Sequence, residues 1–431
     1  MLSYYQNERA KIKNQNLAIL WDIMEKQKPS LPEIACSEPS SFPSMNSFWA
    51  CLPALLMLAT IFFFNFLSRI ILGPLLPAIE NDLGIDHSQS GGLFFFISVG
   101  YCLGLAGSGF ISSIINHRRT IFFSCLMLGG TLLLIASGTS LFVTSAALFL
   151  LGLTTGIYLP SGVATISTCV DARDWGKAFA VHETAPALAF VVAPLFAIGI
   201  LQWFSWRIAM GILGVAALGA GCLFCLRFKG GQVAGVAPHP RAIQALFVQP
   251  AFWIMVVLFC LAISSTIGIY SMLPLYLVTE RGFSPSEANS LVSLSRIPTI
   301  ATVFLAGPII DRLGARTTMV LIFIFTGSMT VMLGMASNAW ISSAVFLQPL
   351  LAQCFYPAGF FMLSAISSPQ SRNIAVSLAV PFGFLAGGGL VPSVIGMLAD
   401  ARMFSLGIII VGVMIFMGCF VSLLLRRSQI K

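Results

Sequence analysis

The chain has 431 residues, of which 57% are hydrophobic and 9% charged, whereas an ordinary soluble domain carries about 25% charged residues. So few charges cannot cover a water-facing surface of this size, which excludes a soluble globular enzyme and leaves lipid as the solvent for most of the chain. The net charge of +8 does not mark a nucleic-acid binder. Five basic and five acidic residues cancel within the first 48, and the surplus falls in short loops between apolar segments.

In chain order, residues 1–48 form a polar extension. Leu17, Leu20, Trp21 and Met24 follow the i, i+3, i+4, i+7 spacing of a short amphipathic helix, which fits either a membrane surface or a cytoplasmic tail. Pro29–Ser47 is rich in Pro and Ser and reads as a linker. Apolar runs such as Leu52–Phe64, Ile121–Ser137 and Ile408–Leu425 then recur without a single charge. About 20 such residues match a hydrocarbon layer about 30 Å thick. Twelve helical spans are predicted, centred near Phe63, Tyr101, Leu128, Thr155, Leu188, Leu218, Ser265, Pro298, Phe325, Cys354, Ala386 and Val413. The polar stretch Lys229–Arg241 follows the sixth. The predicted division is an extension over 1–48, a six-helix bundle over 49–228, a linker over 229–249, a second six-helix bundle over 250–427 and a tail over 428–431.

Loop charges orient the chain. One set of loops carries thirteen Lys and Arg, including Arg118, Arg119, Arg173, Lys177, Arg227 and Arg372, and the opposite set carries Arg207, Arg281 and Arg402. The imbalance puts both termini in the cytoplasm, as an even number of spans requires of termini that agree. The halves also repeat at an offset of 198 residues, which pairs Gly84 with Gly282, Ser88 with Ser286, Gly109 with Gly307, Arg118 with Arg316, Tyr158 with Tyr356 and Pro194 with Pro392. Two repeated bundles imply a site between them near mid-depth.

Between spans eight and nine runs Gly307-Pro-Ile-Ile-Asp311-Arg312-Leu-Gly314-Ala-Arg316. It resembles the G-x-x-x-D-R-x-G-x-R loop of the major facilitator superfamily. The matching place in the first half keeps Gly109 and Arg118 but has Ser113 where the acid would stand. The resemblance covers residues 49–427. It implies an all-α membrane fold of twelve transmembrane helices in two pseudo-symmetric bundles, and a monomeric transporter of the bacterial inner membrane that works by alternating access and needs no cofactor. It further implies a cytoplasmic gate of Gly307, Asp311, Arg312, Gly314, Arg316, Gly109 and Arg118, with Asp311 facing the start of span five near Trp175 and Gly176. An acidic side chain there would meet the positive end of a helix. Ala189-x-x-x-Ala193-Pro194 in span five is similar to the superfamily's antiporter signature, with both glycines replaced by Ala. Gly387, Gly388 and Gly389 in span eleven mark closely packed or flexible backbone.

Ionisable residues inside a span are costly, so they face a cavity or a partner. They are Arg69, His182, Glu183 and Arg296. Arg296 precedes Pro298, which is expected to kink its helix. Guanidinium groups present planar forks of donors suited to carboxylate or phosphate, so Arg69 and Arg296 from opposite halves favour an anion. An internal pair of Arg69 with Glu183 is the structural alternative. Glu183 lies about 12 Å inside span five at 1.5 Å per residue; with His182 it is the candidate proton carrier. Only one of the two adjacent side chains is expected to face the cavity. Asn65, Tyr101, Tyr158, Tyr270, Tyr356, Gln348 and Gln353 complete the candidate lining, since buried phenols and amides need partners. Cys222 and Cys225 form a CxxC with no second pair, which reads as packing rather than a metal site.

These residues point first to a secondary transporter of a small organic anion of carboxylate type, coupled to protons or to exchange. A multidrug or metabolite efflux antiporter is the alternative within the class, and a non-transporting sensor is the alternative outside it. A nucleotide loop with its Lys and Ser/Thr is missing from the glycine run, which argues against ATP-driven pumping.

Overall fold

The computed structural model describes residues 48–228, 230–235, 240–366 and 372–425. The helix expected around Leu17–Met24, the Pro29–Ser47 linker, Lys229 and the tail over 428–431 lie outside the described residues.

Twelve spans appear, each containing the centre expected for it: α1 (Phe48–Leu83), α2 (His87–Ile115), α3 (His117–Ser137), α4 (Leu141–Cys169), α5 (Trp175–Leu201), α6 (Trp206–Arg227), α7 (Pro250–Thr279), α8 (Pro285–Leu313), α9 (Ala315–Met335), α10 (Ile341–Ile366), α11 (Ile374–Asp400) and α12 (Phe404–Leu423). α8 is one span with a 50° bend between Thr302 and Ala306. The bend therefore lies below Pro298, where the kink was expected. It falls one turn before Pro308, whose ring collides with the carbonyl four residues earlier. The linker also contains a short helix, Pro240–Phe247.

The repeat is visible in the backbone. Gly84 and Gly282 close α1 and α7 with φ of +62° and +73°. Two residues on, Asp86 and Ser284 cap α2 and α8, each in a reciprocal capping box with Gln89 or Glu287. Asn116 and Gly314, again 198 apart, turn the chain into α3 and α9 at φ of +69° and +80°. Asn is among the few side chains that tolerate positive φ. Arg118 then donates to the carbonyl of Cys225 at 2.9 Å, and Arg316 to that of Leu423. Those carbonyls are also 198 residues apart and lie near the ends of α6 and α12, where unpaired carbonyls attract a cation.

The end where α1 begins and α12 finishes is here the base, and the opposite end the crown. α3 packs on α6 and its counterpart α9 on α12, while the two halves meet along α5 with α8 and α2 with α11. Among the described residues, side-chain hydrogen bonds across this seam run from mid-depth to the crown. Cys102 meets Pro381, Ser293 meets Val191, Asn289 meets Pro74 and Ser393 meets Gly91. At the crown Asp400, the last residue of α11, accepts from the backbone N–H groups of His87 and Ser88, both at 2.9 Å. A carboxylate of one half thus caps the first turn of a helix in the other.

Two stretches of π-helix interrupt α7 and α11, at Ser264–Gly268 and Phe384–Leu390. They touch each other. A Cβ on Gly268 would lie 2.5 Å from the Gly387 carbonyl, and a Cβ on Gly389 would meet Ser98 of α2 at 2.8 Å. The glycine run of α11 is thus a point of close backbone approach on both sides, which sets the rings of Phe384 and Tyr101 against each other at 4.6 Å between centres.

Candidate functional site

Both intramembrane arginines lie at the seam, Arg69 7% and Arg296 1% exposed. Arg69 sits on α1 with its guanidinium 4.1 Å from the ring centre of Tyr101 on α2, and 5.1 Å from those of Phe66 on α1 and Phe384 on α11. Arg296 sits on α8, 4.9 Å from the ring of Tyr270 on α7 and 5.2 Å from that of Phe190 on α5. Each guanidinium is therefore enclosed by aromatic rings from both halves. Ring faces attract cations, but they accept few of the hydrogen bonds a guanidinium offers.

Among the described residues neither arginine forms an ion pair with a carboxylate. The Nε of Arg69, all three nitrogens of Arg296 and the hydroxyl of Tyr270 are buried without a hydrogen-bond partner among the described residues. Buried donors in such numbers require acceptors. A hollow of about 20 Å³, the space of about one water molecule, adjoins Arg69 and is lined by Ser98 and Tyr101 from one half and Ile267, Ser271, Phe384 and Gly388 from the other. The two arginines are joined through Phe66 and Phe190, whose rings meet edge to face at 5.3 Å.

A second polar group lies nearer the base. Phe62 stacks on His182 at 4.2 Å and on Tyr158 at 5.7 Å. The hydroxyl of Tyr158 donates to the Leu58 carbonyl at 2.9 Å and lies 3.1 Å from His182 Nε2. With its proton committed to the carbonyl, that hydroxyl accepts from an Nε2–H, which assigns the tautomer from the network. His182 Nδ1 is then left facing Glu183 at 3.5 Å. Only one of the adjacent pair is buried: His182 is 1% exposed and the Glu183 side chain 63%. Glu183 is therefore the exposed member of the pair and His182 the one packed among aromatic rings. In that tautomer Nδ1 has no hydrogen-bond partner among the described residues, so the two pair only when His182 is protonated; the alternative pair of Glu183 with Arg69 is not formed among the described residues.

The remaining candidates take more local roles here. Asn65 donates to the Thr155 carbonyl at 3.0 Å and ties α1 to α4. Tyr356 is bonded to Thr266 at 2.8 Å. Gln353 is half-buried on a short turn, while the amide that reaches into the C-terminal bundle is Gln348, which donates to the Ser265 carbonyl at 2.9 Å. Cys222 and Cys225 are exposed on the outer face of α6 instead of packing inside it. Ala189 and Ala193 are fully buried, as close helix packing requires.

At the base the gate residues stand apart. Asp311 and Arg312 are exposed, and Asp311 has no described bond to the start of α5. Trp175 instead donates to the carbonyls of Ser167 and Val170, at the end of α4. A Cβ on Gly307, Gly314 or Gly176 would meet nothing within 4 Å. Arg118 and Arg316 serve as caps of α6 and α12 rather than as partners of an acid, because open carbonyls are the nearest negative groups when the base is apart. The residues the sequence did not single out are Phe66, Phe190 and Phe384. Phe66 stands one turn before Arg69, and Ser98 stands 198 residues before Arg296, so spacing carried some signal for both.

Twelve spans in two repeated halves, with charges buried along the seam that have no ion-pair partner among the described residues, define a multi-pass membrane protein. The model of the Major Facilitator Superfamily matches residues 58–295 and 261–431, and the chain belongs to that superfamily. It is 24% identical over 232 residues to Protein TsgA of Salmonella typhimurium, a match that spans 52% of this chain and 57% of that protein. The probable galactarate/D-glucarate transporter GudP of Bacillus subtilis is 20% identical over 381 residues, covering 78% of this chain and 83% of that one. The fold is similar to the crystal structure of a bacterial homolog of the human lysosomal transporter Spinster, inward-facing and unoccupied. That comparison gives a TM-score of 0.75 at 15% identity, over 88% of this chain and 97% of the other.

Proposed function

We propose that this chain is a secondary active transporter of a small organic anion of carboxylate type, working by alternating access. The observation that carries the proposal is the burial of two guanidinium groups at the seam with no carboxylate partner among the described residues. A buried cation without a counter-charge is costly, and a ligand that supplies the counter-charge removes the cost. The sugar acids for which GudP is named agree with this class.

The driving gradient is a proton gradient or exchange. Glu183 and His182 are the proton-carrying groups of this reading, because an exposed carboxyl stands beside a buried imidazole that reaches Tyr158. The base is the cytoplasmic end, which the thirteen-to-three imbalance of basic residues supports. The protein then sits in the bacterial inner membrane as a monomer, with bundles over 49–228 and 250–427 joined by the linker over 229–249. In this orientation the crown is the closed external side.

Uptake of radiolabelled mono- and dicarboxylates into proteoliposomes tests the proposal, with a pH gradient, with internal anion for exchange, or with neither. Uptake driven by one of the two conditions, and abolished in Arg296→Glu, is expected. Full uptake of every transported anion by Arg296→Glu would overturn it.

A further inference from the structure

The two arginine sites are built by equivalent helices. The 198-residue repeat carries α1 to α7, α2 to α8 and α5 to α11. One site is made by Arg69 of α1, Tyr101 of α2 and Phe384 of α11. The other is made by Tyr270 of α7, Arg296 of α8 and Phe190 of α5. Each member therefore has a counterpart on the matching helix, with the Arg and Tyr exchanged between the first two helices of each half. The internal two-fold axis thus relates one cation held between aromatic rings to another, although no arginine is aligned with an arginine in the sequence.

We infer that the seam holds two anion subsites, and that the transported ligand is an organic dianion with its acid groups at opposite ends of an apolar or aromatic body. This rests on the anion reading above and deepens it. Two guanidinium groups bring two positive charges into a low-dielectric seam. A monoanion leaves one of them without a counter-charge, and a dianion leaves neither. The five N–H donors of Arg296 and the hydroxyl of Tyr270 are buried without an acceptor among the described residues, while Arg69 opens on a separate small hollow with the hydroxyl-bearing Ser98 and Ser271. One acid group cannot serve both, because Phe66 and Phe190 stand between them. Those rings present apolar surface to whatever spans the gap, so the middle of the ligand is apolar.

The test is calorimetric titration of the full-length protein in lipid nanodiscs with straight-chain α,ω-dicarboxylates of increasing length and with benzene dicarboxylates, each beside its monoamide. Affinity is expected to peak at one spacing of the acid groups. The best diacid should bind at least about ten-fold more tightly than its monoamide, as a lost charged hydrogen-bonded contact implies. Arg69→Gln and Arg296→Gln should each bring the diacid down to the level of its monoamide. The wild-type comparison stands even if a variant does not fold. A monoamide that binds as tightly as its diacid would overturn the two-subsite inference and leave the anion reading intact. Failure of the diacids, the monoamides and simple monocarboxylates alike to bind would overturn both.

Discussion

Arg69 lies over the ring of Tyr101 at 4.1 Å, and across the seam the same partnership recurs with the residue types exchanged, as Tyr270 beneath Arg296 at 4.9 Å. Cation–aromatic contacts of this kind contribute about 0.5–2 kcal/mol. Tyr101→Leu and Tyr270→Leu should therefore each weaken anion binding about 2- to 30-fold, while Tyr101→Phe keeps most of it. Titration of the three variants checks this. Equal losses for Leu and Phe would mean that the hydroxyl, not the ring, is what matters.

The unpaired arginines are kept at the expense of stability. Replacing buried charged groups by apolar residues of similar volume is often neutral or stabilising by about 1–4 kcal/mol. Arg296→Met should melt at or above the wild-type temperature in the absence of ligand, and organic anions should no longer raise it. Fluorescence-monitored melting in detergent separates the two effects. A large loss of stability in Arg296→Met would instead assign the guanidinium a structural role.

Asp400 ties the two halves together at the crown by capping α2 across the seam. Asp400→Asn removes the negative charge and one acceptor, which shifts the protein toward a crown-open form. Ser293, whose hydroxyl donates to the Val191 carbonyl at 2.7 Å on the closed seam, is a suitable reporter. In a background without the native cysteines, Ser293→Cys should react faster with an external maleimide when Asp400→Asn is also present. An unchanged rate would show that the cap does not hold the gate.

Glu183 and His182 separate driving force from translocation. Glu183→Gln should abolish uphill uptake driven by a pH gradient while anion exchange between loaded vesicles continues. Loss of both activities would place Glu183 in the anion site itself, and loss of neither would remove it from coupling.

Run length and scarcity of charge mark the spans in the sequence, because a hydrocarbon layer dictates both. The repeat is legible in Gly84 and Gly282, since positive φ leaves few residue choices. Asn116 hides the third such position, because its side chain tolerates the conformation that Gly314 adopts freely. The arginines stand out by their cost in an apolar helix, but their surroundings do not. Phe190 and Phe384 are two of 36 phenylalanines, and unlike Phe66, one turn before Arg69, neither has a sequence neighbour that says its ring faces a cation. The role of Asp400 is hidden for a related reason. A carboxylate at a helix end looks like an ordinary loop residue until the partner helix, 313 residues away, is in place.

The most direct test is the melting temperature of the purified protein with an organic carboxylate and with its neutral amide, in wild type and in Arg296→Gln. A ligand stabilises the folded form that binds it. The carboxylate should raise the wild-type melting temperature, the amide should not, and the variant should respond to neither. Equal stabilisation by carboxylate and amide, or an undiminished response in Arg296→Gln, would contradict the claim that this seam recognises negative charge through its buried arginines.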